Sequence, residues 1–155
     1  MPDDLYDRDI VIWSKRQADA LRRVAASARA NDVDWENVIE EIEGVGVSET
    51  NAVHALCYQL LVHLLKMRSW PAARDVGHWR AEAMAFRAQA ARRWAPSMRR
   101  KLDIQDIYAG AAAQLRATTY EGSSPPPPPD ACPVALDDLV GAPLADLEAA
   151  FASAR

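Results

Sequence analysis

Apolar residues recur at steps of three and four along most of this chain, the spacing that draws one stripe down an α-helix. Trp13, Ala20, Leu21, Val24 and Ala28 predict a first helix over roughly 7–30, ended by Asn31 and Asp32. Asp34 is placed to cap a second helix, with Glu36 in its first turn favouring the helix dipole and Trp35, Val38, Ile39 and Ile42 on one face. Gly44 and Gly46 then read as a break or bend, because glycine is the weakest helix former after proline. A third helix, capped by Ser48 with Glu49 close behind, carries the cleanest pattern of all: Val53, Leu56, Cys57, Leu60, Leu61, Leu64 and Leu65. So broad an apolar side must be covered from several directions, and this is predicted to be the central helix, ended by Pro71.

A fourth helix is expected from Asp75, with Val76, Trp79, Ala83, Phe86 and Ala90 on one side and Pro96 as its stop. A fifth follows from Ser97, with Leu102, Ile107, Tyr108, Ala111 and Leu115. Five consecutive prolines, Pro125 to Pro129, then forbid helix and sheet alike and predict a stiff polyproline II spacer. Beyond Cys132-Pro133 lie two short apolar pieces, Leu136–Val140 and Leu144–Phe151, the second begun by Pro143. Helices so short are marginal alone, so they are expected to dock back. The predicted architecture is a single all-α domain over 1–155: a bundle of about five helices over 7–120, a Pro-rich spacer over 121–130 and a docked tail over 131–155.

Composition agrees with the pattern. A chain of 155 residues suits one domain; half of it is apolar and 26% charged, which allows a core and argues against disorder. Thirty alanines, against few β-branched and aromatic residues, favour helix over strand. The start, Met1-Pro2-Asp3-Asp4, is acidic and lacks an apolar segment, so no secretory signal is read there. Thr50–Leu65, sixteen residues without Asp, Glu, Lys or Arg, is too short and too polar to span a bilayer. Cys57 and Cys132 form no metal motif and no disulfide framework, and the expectation is a reduced, cytoplasmic protein without membrane association.

Charge is unevenly laid out. Residues 1–49 carry a net −6, residues 50–102 a net +8 and residues 103–155 a net −6, within a total of −4. Arg80, Arg87, Arg92, Arg93, Arg99 and Arg100 concentrate the positive part. One reading makes them a surface for nucleic acid or an acidic partner. The plainer one has the basic middle block neutralise its acidic flanks within one fold, which the acidic overall balance favours; no zinc-finger, helix-turn-helix or RNA-recognition motif supports nucleic acid.

The candidate chemistry lies in Glu40, Glu43, His63 and Lys66. His54 and His63 are nine residues apart, about half a turn out of phase on one helix at ~100° per residue, so they cannot share a metal within one subunit. If the second and third helices cross, Glu43 or Glu40 approaches His63, with Lys66 one turn on. The leading expectation is a hydrogen-bonded pair that fixes helix packing. The competing ones are a carboxylate–imidazole metal site and a general acid/base pair, though the Glu-x-x-His motif of di-iron bundles is absent. No Gly-rich phosphate loop or nucleophile elbow occurs, Cys57 lies on the apolar stripe, and no cofactor or metal is implied. Trp70 falls in a turn, placed either for a partner or for satellite packing.

Taken together, Tyr6-Asp7-Arg8-Asp9 with Trp13, Leu21-Arg22, Asn37, Glu40-Glu41-Ile42-Glu43, Gly46, Glu49, His63-Leu64-Leu65-Lys66, Pro71, Trp79, Pro96-Ser97, Leu102, Tyr108 and Cys132-Pro133 resemble the bacterial family called domain of unknown function 29. The resemblance runs in order over almost the whole chain. Three features depart from it: Met67 stands where relatives carry Trp, Ala112 where Arg follows the Tyr108 segment, and the proline run replaces an ordinary loop. The resemblance implies an all-α bundle and no established reaction. The leading functional expectation is therefore a small non-catalytic interaction or regulatory module, with a protein partner or self-association through Ala-rich helix faces. A nucleic-acid or acidic-partner binder, and a metal or acid/base enzyme on Glu40, Glu43 and His63, are the alternatives.

Overall fold

Two glycines in three residues do not break the chain. In the computed structural model, which describes residues 4–27 and 32–155, Trp35–Ser69 is one continuous helix of 35 residues (α3). The predicted second and third helices are therefore a single element, and Ser48 lies within it instead of capping a new start. Each interior glycine costs a helix about 1 kcal/mol. Gly46 offsets that by letting α2 approach closely: a Cβ built on it would lie 2.6 Å from the Ser14 hydroxyl and 3.0 Å from Val11 Cα. Proline, which removes a backbone donor, does stop the helix as predicted; α3 ends at Ser69, two residues before Pro71.

Before α3 come a one-turn helix, Leu5–Arg8 (α1), and Ile10–Ser27 (α2). The single predicted first helix is thus divided at Asp9, whose side chain accepts from the Ile12 amide at 3.0 Å and so caps α2. The predicted stripe residue Ala28, the predicted helix end at Ala30 and Asn31 of its stop lie outside the described residues. After α3 follow Val76–Arg93 (α4), a 3₁₀ turn Pro96–Arg100, Ile104–Arg116 (α5), Leu136–Gly141 (α6) and Leu144–Ser153 (α7). The fifth helix begins later than expected. Pro96-Ser97 opens the 3₁₀ turn, and α5 is capped by Asp103, which accepts from Gln105 N at 2.8 Å. Asp75 precedes α4 but makes no cap bond; it accepts from the Tyr120 hydroxyl at 3.1 Å. The fold is all-α, and among the described residues no helix is long and apolar enough to cross a membrane.

The chain packs as two units, Met1–Ala52 with Ala95–Lys101, and Val53–Trp94 with Leu102–Arg155. The first contains α1, α2, the start of α3 and the 3₁₀ turn. Its inside is made of small and polar residues as much as large ones: Val11, Ala18, Ile39, Ala95 and Met98 are buried together with Asp9, Ser14 and Thr50. The buried hydroxyls are satisfied locally, Ser14 donating to Val11 O at 3.0 Å and Thr50 to Gly46 O at 2.8 Å.

The second unit holds the larger apolar core. Of the predicted stripe of α3, Val53, Cys57, Leu60, Leu61, Leu64 and Leu65 are fully buried and Leu56 is half-buried; Leu115, Leu139, Leu147 and Phe151 are buried with them. Helices α6 and α7 pack on α4. The segment joining them to α5 is tied by polar contacts: Tyr108 donates its hydroxyl to Pro129 O at 2.6 Å, and Cys132 N donates to Gln105 Oε1 at 2.9 Å. Arg68, near the end of α3, donates to three carbonyls at once, those of Phe151 (3.0 Å), Pro127 (3.2 Å) and Ala154 (3.2 Å). One guanidinium fork thus fixes both the proline segment and the end of α7.

Candidate functional site

In the second unit His63 is 7% exposed and its partner is on α4. Nε2 meets Glu82 Oε2 at 2.8 Å, Nδ1 meets Gln59 O at 2.8 Å, and the ring leans on Phe86 at 5.2 Å between centroids. The hydrogen bond from His63 chiefly holds the Glu82 carboxyl below its usual range, helped against some desolvation by the nearby charges of His63, His78 and Lys66. Glu82 is then an acceptor, as is the Gln59 carbonyl, so the ring satisfies both contacts only when both its nitrogens carry protons. His78, one turn before Glu82, faces the other carboxylate oxygen at 3.4 Å. Lys66 makes a different contact, its ammonium lying 4.4 Å from the ring centre of Trp79. Burial lowers the Lys66 pKa, with Glu82 and Asp75 acting the other way. Trp70 does not project for a partner: it is 9% exposed and packs on Trp79 and Tyr120.

Glu43 and Glu40 do not reach His63. They precede it by twenty and twenty-three residues on the same helix, not on a separate helix that could cross it. Glu43 instead pairs with Arg22 of α2, which also bonds Asp19 at 2.9 Å. Glu40 is exposed beside Glu36 and Ile39 in a shallow groove. The residue that sequence reasoning missed is Glu82, and the signal for it was present: it is the one acid between Val76 and Leu102.

The arginines divide between the two units. Arg80 bonds Glu148 of α7 at 2.7 Å and Arg87 donates to Val140 O of α6 at 3.1 Å, so both serve the packing of α4. Arg92 and Arg93 form the last turn of α4, while Arg99 and Arg100 belong to the 3₁₀ turn of the first unit. Among the described residues no group of three or more His, Cys, Asp or Glu is arranged to hold a metal ion. Burial pushes the Cys57 thiol up to about 12 and raises that of Cys132, so neither is a thiolate at neutral pH.

A cleft of about 500 Å³ opens in the first unit, between α2, α3 and the 3₁₀ turn. Val11, Ile12, Gly46 and Val47 give it an apolar side; Lys15, Arg16, Lys101, Asp19 and Glu43 supply charge, and Ser14 and Ser97 hydroxyls. Below it, Asp9 ties two elements together, accepting at 2.9 Å from Ser97 N and at 2.8 Å from Ser97 Oγ besides capping α2. Burial on its own would raise the Asp9 pKa, but bonds from Ile12, Ser97 and Val11 outweigh it and hold the carboxyl below its usual value. A comparable hollow of about 490 Å³ in the second unit is lined by Arg68 and Arg80, both already engaged.

Residues 5–142 match the model of a family described as Domain of unknown function DUF29. Among solved structures the chain is similar to an α-helical protein of unknown function from Rhodospirillum rubrum ATCC 11170, at 29% identity and a TM-score of 0.84 over 95% of each chain. No curated protein matches it.

Proposed function

The chain belongs to the DUF29 family, whose description records no reaction, and from that premise we propose that it is a small cytoplasmic, non-catalytic interaction module working through the first unit. One observation carries this reading. Of the seven large apolar side chains exposed among the described residues, six (Tyr6, Ile12, Val24, Val33, Val38 and Val47) lie in the first unit, and only Met84 lies in the second. Ile12 and Val47 stand on the 500 Å³ cleft, 39% and 55% exposed. Such a concentration on the smaller unit is what a docking surface leaves open. The catalytic alternative loses its constellation, since Glu43 is spent on Arg22 and His63 on Glu82. The nucleic-acid alternative loses Arg80 and Arg87 to internal packing.

The test is a photo-crosslinking amino acid placed at Val47 and, as control, at Met84, with both variants irradiated in the producing cell. A discrete adduct from position 47 alone is expected. No adduct at 47, or the same adducts from both positions, refutes the reading.

A further inference from the structure

Glu36, Glu40, Glu43 and Val47 follow one another at steps of three and four, so they form a single stripe along α3. At 1.5 Å per residue, Val47 lies about 10–16 Å along the helix from the pair Glu40 and Glu36. The two ends differ in sign. At one end Glu36 and Glu40, flanked by the 40%-exposed Val38, make no ion pair among the described residues. At the other, Val47 and Ile12 share the cleft with Lys15 and Lys101, whose side chains likewise have no partner among the described residues. Between them Glu43 is already neutralised by Arg22.

We infer that the cleft is filled by a second copy of this chain, laid antiparallel on the same stripe about a twofold axis near Glu43. An acidic peptide would satisfy Lys15 and Lys101 but leave Glu36 and Glu40 unpaired, and a basic partner would do the reverse. A second copy answers both at once, because a twofold axis brings each acidic end against the opposite basic end and covers Ile12 and Val47 twice over. This rests on the interaction-module reading and names its partner.

The experiment measures mass by size-exclusion chromatography with light scattering on the full chain. Four proteins are compared: wild type, Glu36→Lys with Glu40→Lys, Lys15→Glu with Lys101→Glu, and the chain carrying all four changes. All four positions are exposed, so far-UV circular dichroism should be unchanged. The wild type is expected to be a dimer at low salt that weakens as salt rises. Each double variant should lose at least roughly tenfold in dimer affinity, since like charges then meet at both of the symmetry-related contacts. Mixing the two double variants should restore a heterodimer, both of whose contacts are again of opposite sign, and the fourfold variant should dimerise with itself. A monomeric wild type, or double variants that stay monomeric when mixed, overturns self-pairing. A Val47 crosslink to a partner of another mass would then leave the module reading standing, whereas no crosslink at all removes both.

Discussion

Replacing Gly44 and Gly46 by alanine, one at a time, sets intrinsic helix propensity against packing within a single turn of α3. Both changes relieve the unfolded chain of glycine's extra freedom and should gain roughly 0.5–1 kcal/mol in a helix interior. At Gly44 nothing lies within 4 Å of the new Cβ, so the gain is kept whole. At Gly46 the Cβ would meet Ser14 Oγ at 2.6 Å, Val11 Cα at 3.0 Å and Val11 O at 3.3 Å. Ser14 is 1% exposed and its hydroxyl is bonded to Val11 O. Turning it away leaves a buried donor unpaired, and the Val11 contacts are backbone, so α2 itself must retreat. Overpacking of this kind costs about 1–3 kcal/mol, which after the propensity gain leaves Gly46→Ala destabilised by up to about 2.5 kcal/mol.

The assay is urea unfolding followed by far-UV circular dichroism, comparing midpoints at unchanged slope. Gly44→Ala should move the midpoint up and Gly46→Ala down, a separation equal to the packing cost of about 1–3 kcal/mol. Adding Ser14→Ala to Gly46→Ala removes the 2.6 Å contact while leaving those to Val11, so part of the loss should return as a favourable coupling between the two sites. If Gly46→Ala stabilises the chain as much as Gly44→Ala does, the close approach of α2 is wrong.

Three further outcomes follow from the same contacts. His63→Gln should cost about 1–2 kcal/mol, the lower part of the range for a charge-assisted bond because Glu82 is 40% exposed; an unchanged melting temperature would remove the pair from the packing of α4. The Asp9 pKa is lower folded than unfolded, so its contribution to stability is complete above the unfolded value near 3.8 and fades as pH falls through the folded one. Asp9→Asn should accordingly flatten the acid limb of the stability–pH curve, and an unaltered limb would refute that. Arg68→Lys keeps the charge but replaces a planar fork with a point donor, so amides of α7 should exchange with solvent at least roughly tenfold faster while those of α2 do not change.

The sequence revealed what depends on one element at a time. The stripe Val53–Leu65, the stops at Pro71 and Pro96, and the two short tail helices are all found where spacing and proline chemistry place them, because each is decided by residues within a turn or two. What it could not reveal were facts about the neighbour. Gly46 reads as a breaker until α2 lies against it. Asp103, and not Ser97, caps α5, while Ser97 turns its hydroxyl and amide to Asp9, 88 residues away.

The partner of His63 stands between these cases. Spacing said only that the ring sits at the margin of a buried face, and on that basis Glu43 and Glu40 were as eligible as any other acid. The charge layout held more information than that. Residues 50–102 contain ten basic groups and just two acids, Asp75 and Glu82. An imidazole at the edge of that block and deprived of water needs an acceptor, and an acid already matched to a nearby arginine is a poor one. Glu43 has Arg22 within reach, whereas no arginine lies three or four residues from Glu82 on α4. Counting which carboxylates remain unmatched within a block therefore narrows the choice to two, and burial of His63 against Phe86 then selects the one on α4.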